Sequence, residues 1–156
     1  MKLKNSRSRY KIDRILEEAY KERYLHGNNS IYDRLLKISG LRLIERSNFI
    51  DSHRCAWFVF REEEWYNSLE PYERSVIPFD DGINMLLGNG FQETHKQQQD
   101  AVLVYQLQPW SNQVEHYGKF KAERAESKFG IAHAFRHDID LIPSDYGSYV
   151  RFFLKV

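Results

Sequence analysis

The run Ala-Val-Leu-Val-Tyr-Gln-Leu at residues 101–107 constrains this chain most, because it is the clearest strand in the sequence. It is almost continuously apolar and contains β-branched residues, a composition typical of a strand inside a sheet. Further strands are predicted around residues 41–43, 55–60 and 129–141, with a closing strand at residues 149–156. Because residues 129–141 alternate between apolar and polar, we expect them to pair with the closing strand as an antiparallel C-terminal β-hairpin.

Helical spacing of apolar residues predicts a pair of helices near the N-terminus. The first begins at Ile12 and ends at Gly27, and Ser30 caps a second that ends at Gly40. The buried stripe of the first helix is predicted to consist of Ile12, Ile15, Leu16, Ala19, Tyr20 and Tyr24. Further helices are predicted over residues 61–69, 83–87 and 114–127.

The predicted fold class is α+β, because these helices and strands do not alternate regularly along the chain. The N-terminal helical pair packs on a mostly antiparallel sheet of about four to six strands, closed by the C-terminal β-hairpin. The single cysteine, Cys55, excludes an internal disulfide. It is expected to be a small buried apolar residue, and the alternative is a thiol activated by His53, two residues before it.

The composition excludes several classes of protein. The chain has 156 residues, a formal net charge of +1, 29% charged residues and 15% aromatic residues. This balance excludes a polyanionic DNA mimic, a histone-like polycation and an intrinsically disordered chain. No apolar run reaches the roughly 18 residues of a membrane-spanning helix, and no signal peptide is recognisable. We therefore expect a cytoplasmic protein with no membrane partner.

The start of the chain is locally basic. Residues 1–11 contain five cations and no acid: Lys2, Lys4, Arg7, Arg9 and Lys11. They are predicted to form a basic N-terminal arm, followed by a single α+β domain over residues 12–156. Two interpretations are open, a solvated terminus or an arm that binds nucleic acid or an acidic protein surface.

Three histidines are the main candidates for chemistry. His133 and His137 lie on the apolar face of the predicted strand 129–141, and His116 approaches from the preceding segment. On a strand, residues four apart are about 13 Å apart, too far to bind one metal ion, so we expect no metal. One interpretation is a pair of hydrogen-bonded core histidines. The other is that they floor a cleft and act as general acid and base.

Four further residues are predicted to bind phosphate or substrate, namely Lys119, Tyr117, Arg136 and Arg54. Arginine suits this role because its guanidinium binds phosphate through two hydrogen bonds. Together with the histidines they predict a small metal-independent enzyme that acts on a nucleotide or nucleic-acid phosphate and needs no cofactor. A nuclease or phosphodiesterase-type hydrolase, or a transferase, is the expected reaction class.

A second hypothesis is a non-catalytic module that binds nucleic acid or protein. The sequence lacks the glycine-rich phosphate-binding loops and the Gly-x-Ser-x-Gly motif of many enzymes. In this hypothesis the basic arm and exposed aromatic residues hold a macromolecule. The aromatic candidates are Trp57, Trp65, Trp110, Tyr117, Tyr146 and Tyr149.

A third hypothesis comes from the segment Tyr-Leu-His-Gly-Asn at residues 24–28, followed by Leu35-Leu36 and by Gly-Leu-Arg at residues 40–42. It resembles the opening of ADP-ribosyltransferase-type folds, in which a His-Gly-Thr-like turn precedes a helix that ends in Gly-Leu. The resemblance implies an enzyme that uses NAD. The chain departs from that pattern because His26 follows a predicted helix rather than a strand, and no clear catalytic glutamate follows.

Overall fold

A computed structural model describes residues 1–156, with one antiparallel sheet at the centre. The helices are α1 (Arg7–His26), α2 (Cys55–Phe60), α3 (Glu64–Asn67), α4 (Pro71–Asp80) and α5 (Gly82–Gly88), with 3₁₀ helices at Ser30–Lys37 and Ser144–Tyr146. The strands are β1 (Arg42–Glu45), β2 (Phe91–Thr94), β3 (Val102–Gln106), β4 (His116–Lys121), β5 (Arg124–Lys128), β6 (Ala134–His137) and β7 (Tyr149–Lys155). Their order across the sheet is β1-β6-β5-β4-β3-β7-β2.

Both faces of the sheet are covered, so the molecule has three layers. Successive strand residues point to opposite faces. On β3, Leu103 and Tyr105 pack in the core beneath α1 and the first 3₁₀ helix, a side called here the α1 face. Val102 and Val104 pack in a second core with residues of α2, α3 and α5, the α2–α5 face. The predicted α+β class is confirmed, and β3 lies inside the sheet as expected.

The N-terminal segment is packed against the fold. Helix α1 begins at Arg7 rather than Ile12, and the side chain of Ser6 caps it by accepting from the backbone N–H of Arg9. The Arg9 side chain is only 2% exposed. Its guanidinium donates to the carbonyls of Ile142 (2.9 Å) and Gly147 (2.7 Å). The basic residues at 1–11 are therefore divided between the interior and the surface.

The apolar run at residues 55–60 forms helix α2, so the strand predicted there is wrong. Its residues contact β4 on the α2–α5 face of the sheet, and five of the six are buried. A short, uniformly apolar run is compatible with either structure, because it lacks a distinguishing period. Cys55 is buried as expected, and burial raises the pKa of its thiol to about 11. His53 instead stacks on Trp57, with ring centroids 3.9 Å apart.

The helix predicted over residues 114–127 is also wrong, because this segment is the β4–β5 hairpin. Ala122 and Glu123 connect the strands, both with positive φ (49° and 62°). Two consecutive residues of this kind form a type I′ turn, whose twist matches that of the paired strands. Glycine suits position 118 in this strand because it has no side chain. A Cβ there would lie only 3.2 Å from the carbonyl oxygen of Glu126, which is a tight contact.

The closing strand is confirmed at β7, but its partners differ from the prediction. It pairs with β3 on one side and β2 on the other, not with β6. Within residues 129–141 only Ala134–His137 is a strand, and it pairs with β1 and β5. The intervening chain passes beneath α1, where Leu141 and Ile142 are buried, so no C-terminal hairpin forms. No helix of the chain is both long and apolar enough to cross a membrane.

Candidate functional site

His133 is buried and both of its ring nitrogens are engaged. The backbone N–H of Ser47 donates to Nδ1 (2.9 Å), so the ring proton lies on Nε2. Nε2 donates in turn to Oδ1 of Asp33 (2.9 Å), on the first 3₁₀ helix. The edge of the ring meets Phe49, whose backbone has a positive φ of 56°. These contacts attach the loop after β1 to the segment before β6.

His137 is similarly buried and saturated. Its Nδ1 donates to the carbonyl of Asp138 (2.7 Å), which leaves Nε2 to accept from the hydroxyl of Ser127 (2.7 Å). Burial lowers the pKa of His137 to about 4, although the Asp138 carbonyl and carboxylate act in the opposite direction. The ring is therefore neutral at physiological pH.

His116 is the one histidine of the three without hydrogen bonds. It is 0% exposed, and neither ring nitrogen has a partner. The ring stacks on Tyr146, with centroids 4.0 Å apart and planes 7° from parallel. Burial lowers the pKa of His116 well below its usual value, and the neighbouring His137 lowers it further.

The sheet separates the predicted histidines from most of the predicted anion-binding groups. Because β4 alternates, His116 lies on the α1 face, while Tyr117 lies in the core of the α2–α5 face. There the Tyr117 hydroxyl donates to the carbonyl of Pro78, and the Lys119 ammonium lies over the Phe58 ring. Burial, together with nearby cations, lowers the pKa of Lys119.

Arg136 lies one residue before His137 on β6, so its side chain is on the other side of the sheet, the α2–α5 face. It donates twice to Oε2 of Glu126 (2.9 and 2.5 Å), so its charge is paired within the sheet. Arg54, the last of the predicted set, is exposed and donates through Nε to the carbonyl of Asp51 (3.1 Å). The seven predicted residues therefore do not meet in one open site.

A buried lysine that the sequence did not single out stabilises the loop before β6. Nζ of Lys128 donates to the carbonyls of Ile131 (3.1 Å) and Ala132 (2.8 Å) and to Oγ of Ser47 (3.0 Å). Burial lowers its pKa to about 8, and the charge of Glu45 opposes that effect. Since all three of its protons are donated, Lys128 acts as an anchor for this loop.

A concavity of about 1100 Å³ lies beside α1. One wall is α1, and the other comes from residues 129–131 and 143–146, with Asp51 and Arg54 nearby. We call it the α1 cleft. Its aromatic lining consists of Tyr20, Tyr24, Tyr32, Phe129 and Tyr146.

Two tyrosines on the rim of the α1 cleft are exposed to solvent. Tyr20 is 70% exposed and Tyr24 is 80% exposed. Their rings are nearly parallel, with centroids 6.4 Å apart. The expectation that both belong to the buried stripe of α1 is therefore wrong. The signal for this outcome is their position at the edge of the stripe, among the charged residues Glu17, Lys21 and Arg23.

The charges that line the α1 cleft are mixed. Four carboxylates and three cations contribute to it: Asp13, Glu17, Asp51 and Asp145, with Lys21, Arg23 and Arg54. Arg23 pairs with Asp51 (2.8 Å), and Lys21 pairs loosely with Glu17 (3.4 Å). Asp13 accepts from both the backbone N–H (2.7 Å) and the hydroxyl (2.5 Å) of Ser144. Oδ1 of Asn29, also in the lining, is buried without a donor.

The remaining predicted aromatic residues are dispersed. Tyr146 lines the α1 cleft, and Trp110 is exposed elsewhere, whereas Trp57 and Trp65 pack against the core of the α2–α5 face. No group of three or more histidine, cysteine or carboxylate side chains is arranged to hold a metal ion.

Comparison of the chain with models of protein families, with curated proteins and with solved structures finds no match.

Proposed function

We propose that this protein is a non-catalytic binding module, and that the α1 cleft holds an extended segment of another protein. The observation that carries the proposal is the pair of exposed, nearly parallel rings of Tyr20 and Tyr24 on the rim of a large cleft. Tyrosine is enriched at protein interfaces because its ring offers apolar contact area and its hydroxyl forms hydrogen bonds. Such residues commonly supply much of the binding energy.

The state of the histidines favours binding over acid–base catalysis. A general acid or base needs a ring nitrogen that reaches the substrate. The nitrogens of His133 and His137 are already bonded within the fold, and those of His116 are enclosed. The hypothesis of a phosphate-directed enzyme would need these contacts to break during turnover.

The charge of the α1 cleft favours a protein ligand over a nucleic acid. Binding of a phosphate backbone depends on several unpaired Lys or Arg residues. Here carboxylates outnumber cations, and two of the three cations, Lys21 and Arg23, already pair with carboxylates of the same lining. A peptide offers both donors and acceptors, and mixed polarity of this kind is typical of protein interfaces.

Selection from a library of random peptides displayed on phage tests this proposal. We expect enriched peptides to bind the wild-type protein and to lose about tenfold or more in affinity for the double variant Tyr20→Ala/Tyr24→Ala. Tyr72→Ala is the matched control, because Tyr72 is an exposed tyrosine on α4, in the other helical layer.

Circular dichroism should show that all variants fold, since the replaced rings are exposed. The proposal is overturned if no peptide is enriched. It is equally overturned if the enriched peptides bind the Tyr20→Ala/Tyr24→Ala variant as tightly as the wild type.

A further inference from the structure

We propose that the segment held in the α1 cleft is basic, and that one of its Lys or Arg side chains lies against Tyr20 beside Glu17 and Asp145. This inference rests on the proposed function, because it specifies the chemistry of the partner at the same cleft. It predicts that affinity depends on the positive charge of the peptide as well as on its shape.

Helix α1 presents a stripe of carboxylates and aromatic rings to the cleft. Asp13, Glu17, Tyr20 and Tyr24 all line the cleft at spacings of three and four residues. Residues at these spacings are neighbours on the surface of a helix. Carboxylates and aromatic rings thus lie side by side, and both attract a cation, the rings through their electron-rich faces. A guanidinium or ammonium group would contact both at once.

The charges are unevenly distributed along the cleft. Asp13 and Asp145 form no ion pair, and Asp13 accepts only from the neutral donors of Ser144. The cations Arg23 and Arg54 instead cluster at Asp51. Since Asp13 and Arg23 are ten residues apart on α1, the two groups are separated by about 15 Å along the helix. The end that contains Asp13 is therefore acidic.

The ion pair of Glu17 within the cleft is a weak one. The Lys21–Glu17 pair is exposed on both sides, and such surface pairs are weak and easily exchanged. A ligand rich in N–H donors, such as a Lys- or Arg-bearing peptide, would pair with this carboxylate, whereas an acidic peptide would meet like charge.

Three labelled peptides of identical length test the inference by fluorescence anisotropy. The first has arginines spaced by glycine and serine, the second has citrulline in place of each arginine, and the third has glutamate. Citrulline keeps the planar shape of arginine and removes its charge. We expect the arginine peptide to bind at least about tenfold more tightly than the citrulline peptide, and the glutamate peptide to bind least.

The variant Glu17→Gln/Asp145→Asn provides the second arm. It should weaken binding of the arginine peptide about fivefold and leave the citrulline peptide unchanged. The control Glu62→Gln/Glu123→Gln removes the same charge from exposed positions outside the α1 cleft and should have no effect.

Each other outcome has a definite meaning. The arginine and citrulline peptides could bind equally, and both could lose affinity for Tyr20→Ala/Tyr24→Ala. In that case the inference of a basic partner is wrong and the proposed function survives. If no peptide binds, from this series or from the displayed library, both fail. If labelled oligothymidylate binds more tightly than the arginine peptide, the partner is a nucleic acid and both proposals are overturned.

Discussion

At the scale of single residues, His116 is the group whose surroundings suit its chemistry least. It lies in the core of the α1 face against Tyr105, Phe129 and Tyr146, and neither ring nitrogen is hydrogen-bonded. A buried polar atom without a partner costs about 1–3 kcal/mol. His137 also contacts Phe129, but each of its ring nitrogens has a hydrogen-bond partner.

This contrast predicts opposite effects for one substitution. His116→Phe should raise the free energy of unfolding by about 1 kcal/mol, because an apolar ring of similar shape replaces two unsatisfied atoms. His137→Phe should lower it by about 1–3 kcal/mol, because Ser127 and the Asp138 carbonyl lose their partner. Urea unfolding of both variants measures the difference, and equal destabilisation by the two would contradict the assignment.

The stability of the fold should also fall in mild acid. The pKa of His137 is about 4 in the folded chain, below its unfolded value of about 6.5. The unfolded chain therefore binds the proton more tightly between these two values. The contribution of neutral His137 to the free energy of unfolding is complete above about pH 6.5. The free energy of unfolding then declines by about 3 kcal/mol as the pH falls to about 4. Urea midpoints across this range should show the decline, and His137→Phe should reduce it; a flat profile would contradict it.

Residue patterns in the sequence were informative about the site only in part. The sequence marks His133 and His137 as unusual because each alternates with apolar residues, and both are buried. The hydrogen-bond partners of His133 are Asp33 and Ser47, which lie 100 and 86 residues before it in the chain. No local spacing in the sequence indicates partners so distant. Whether Tyr20 is buried or exposed depends on which segments pack against α1. Those segments, at residues 129–131 and 143–146, are distant in the chain.

At the scale of helices and strands, local pattern was sufficient where it was unambiguous. Strand β3, strand β7 and helix α5 lie close to their predicted positions. Helix α2 was missed because all six of its residues are apolar and five are buried, so the polar side that reveals a helical period is absent. Pairing was missed because β7 enters between β2 and β3, a choice of neighbours that sequence order does not indicate.

The loop before β6 depends on a single cation, which gives a prediction at this scale. Lys128→Met should leave the carbonyls of Ile131 and Ala132 without their donor and lower the free energy of unfolding by about 1–2 kcal/mol. Amide hydrogen exchange should become faster over residues 129–133. Lys96→Met, at an exposed position, is the control. Unchanged exchange in the loop would show that Lys128 does not anchor it.

At the scale of the whole molecule, the antiparallel sheet decides which residues can act together. It places the three histidines on the α1 side and Tyr117, Lys119 and Arg136 on the opposite side. The α1 cleft, with its tyrosine rim and acidic end, lies on the histidine side of the sheet. This cleft is therefore the surface at which we expect binding.

The most direct test is a ¹H–¹⁵N NMR titration of the wild-type protein with the arginine peptide. We expect shifts for amides along the cleft side of α1 and at Asn29, Gly130 and Ser144, with little change on α4. Shifts confined to the α2–α5 face, or no shifts at concentrations where the peptide binds, would contradict it.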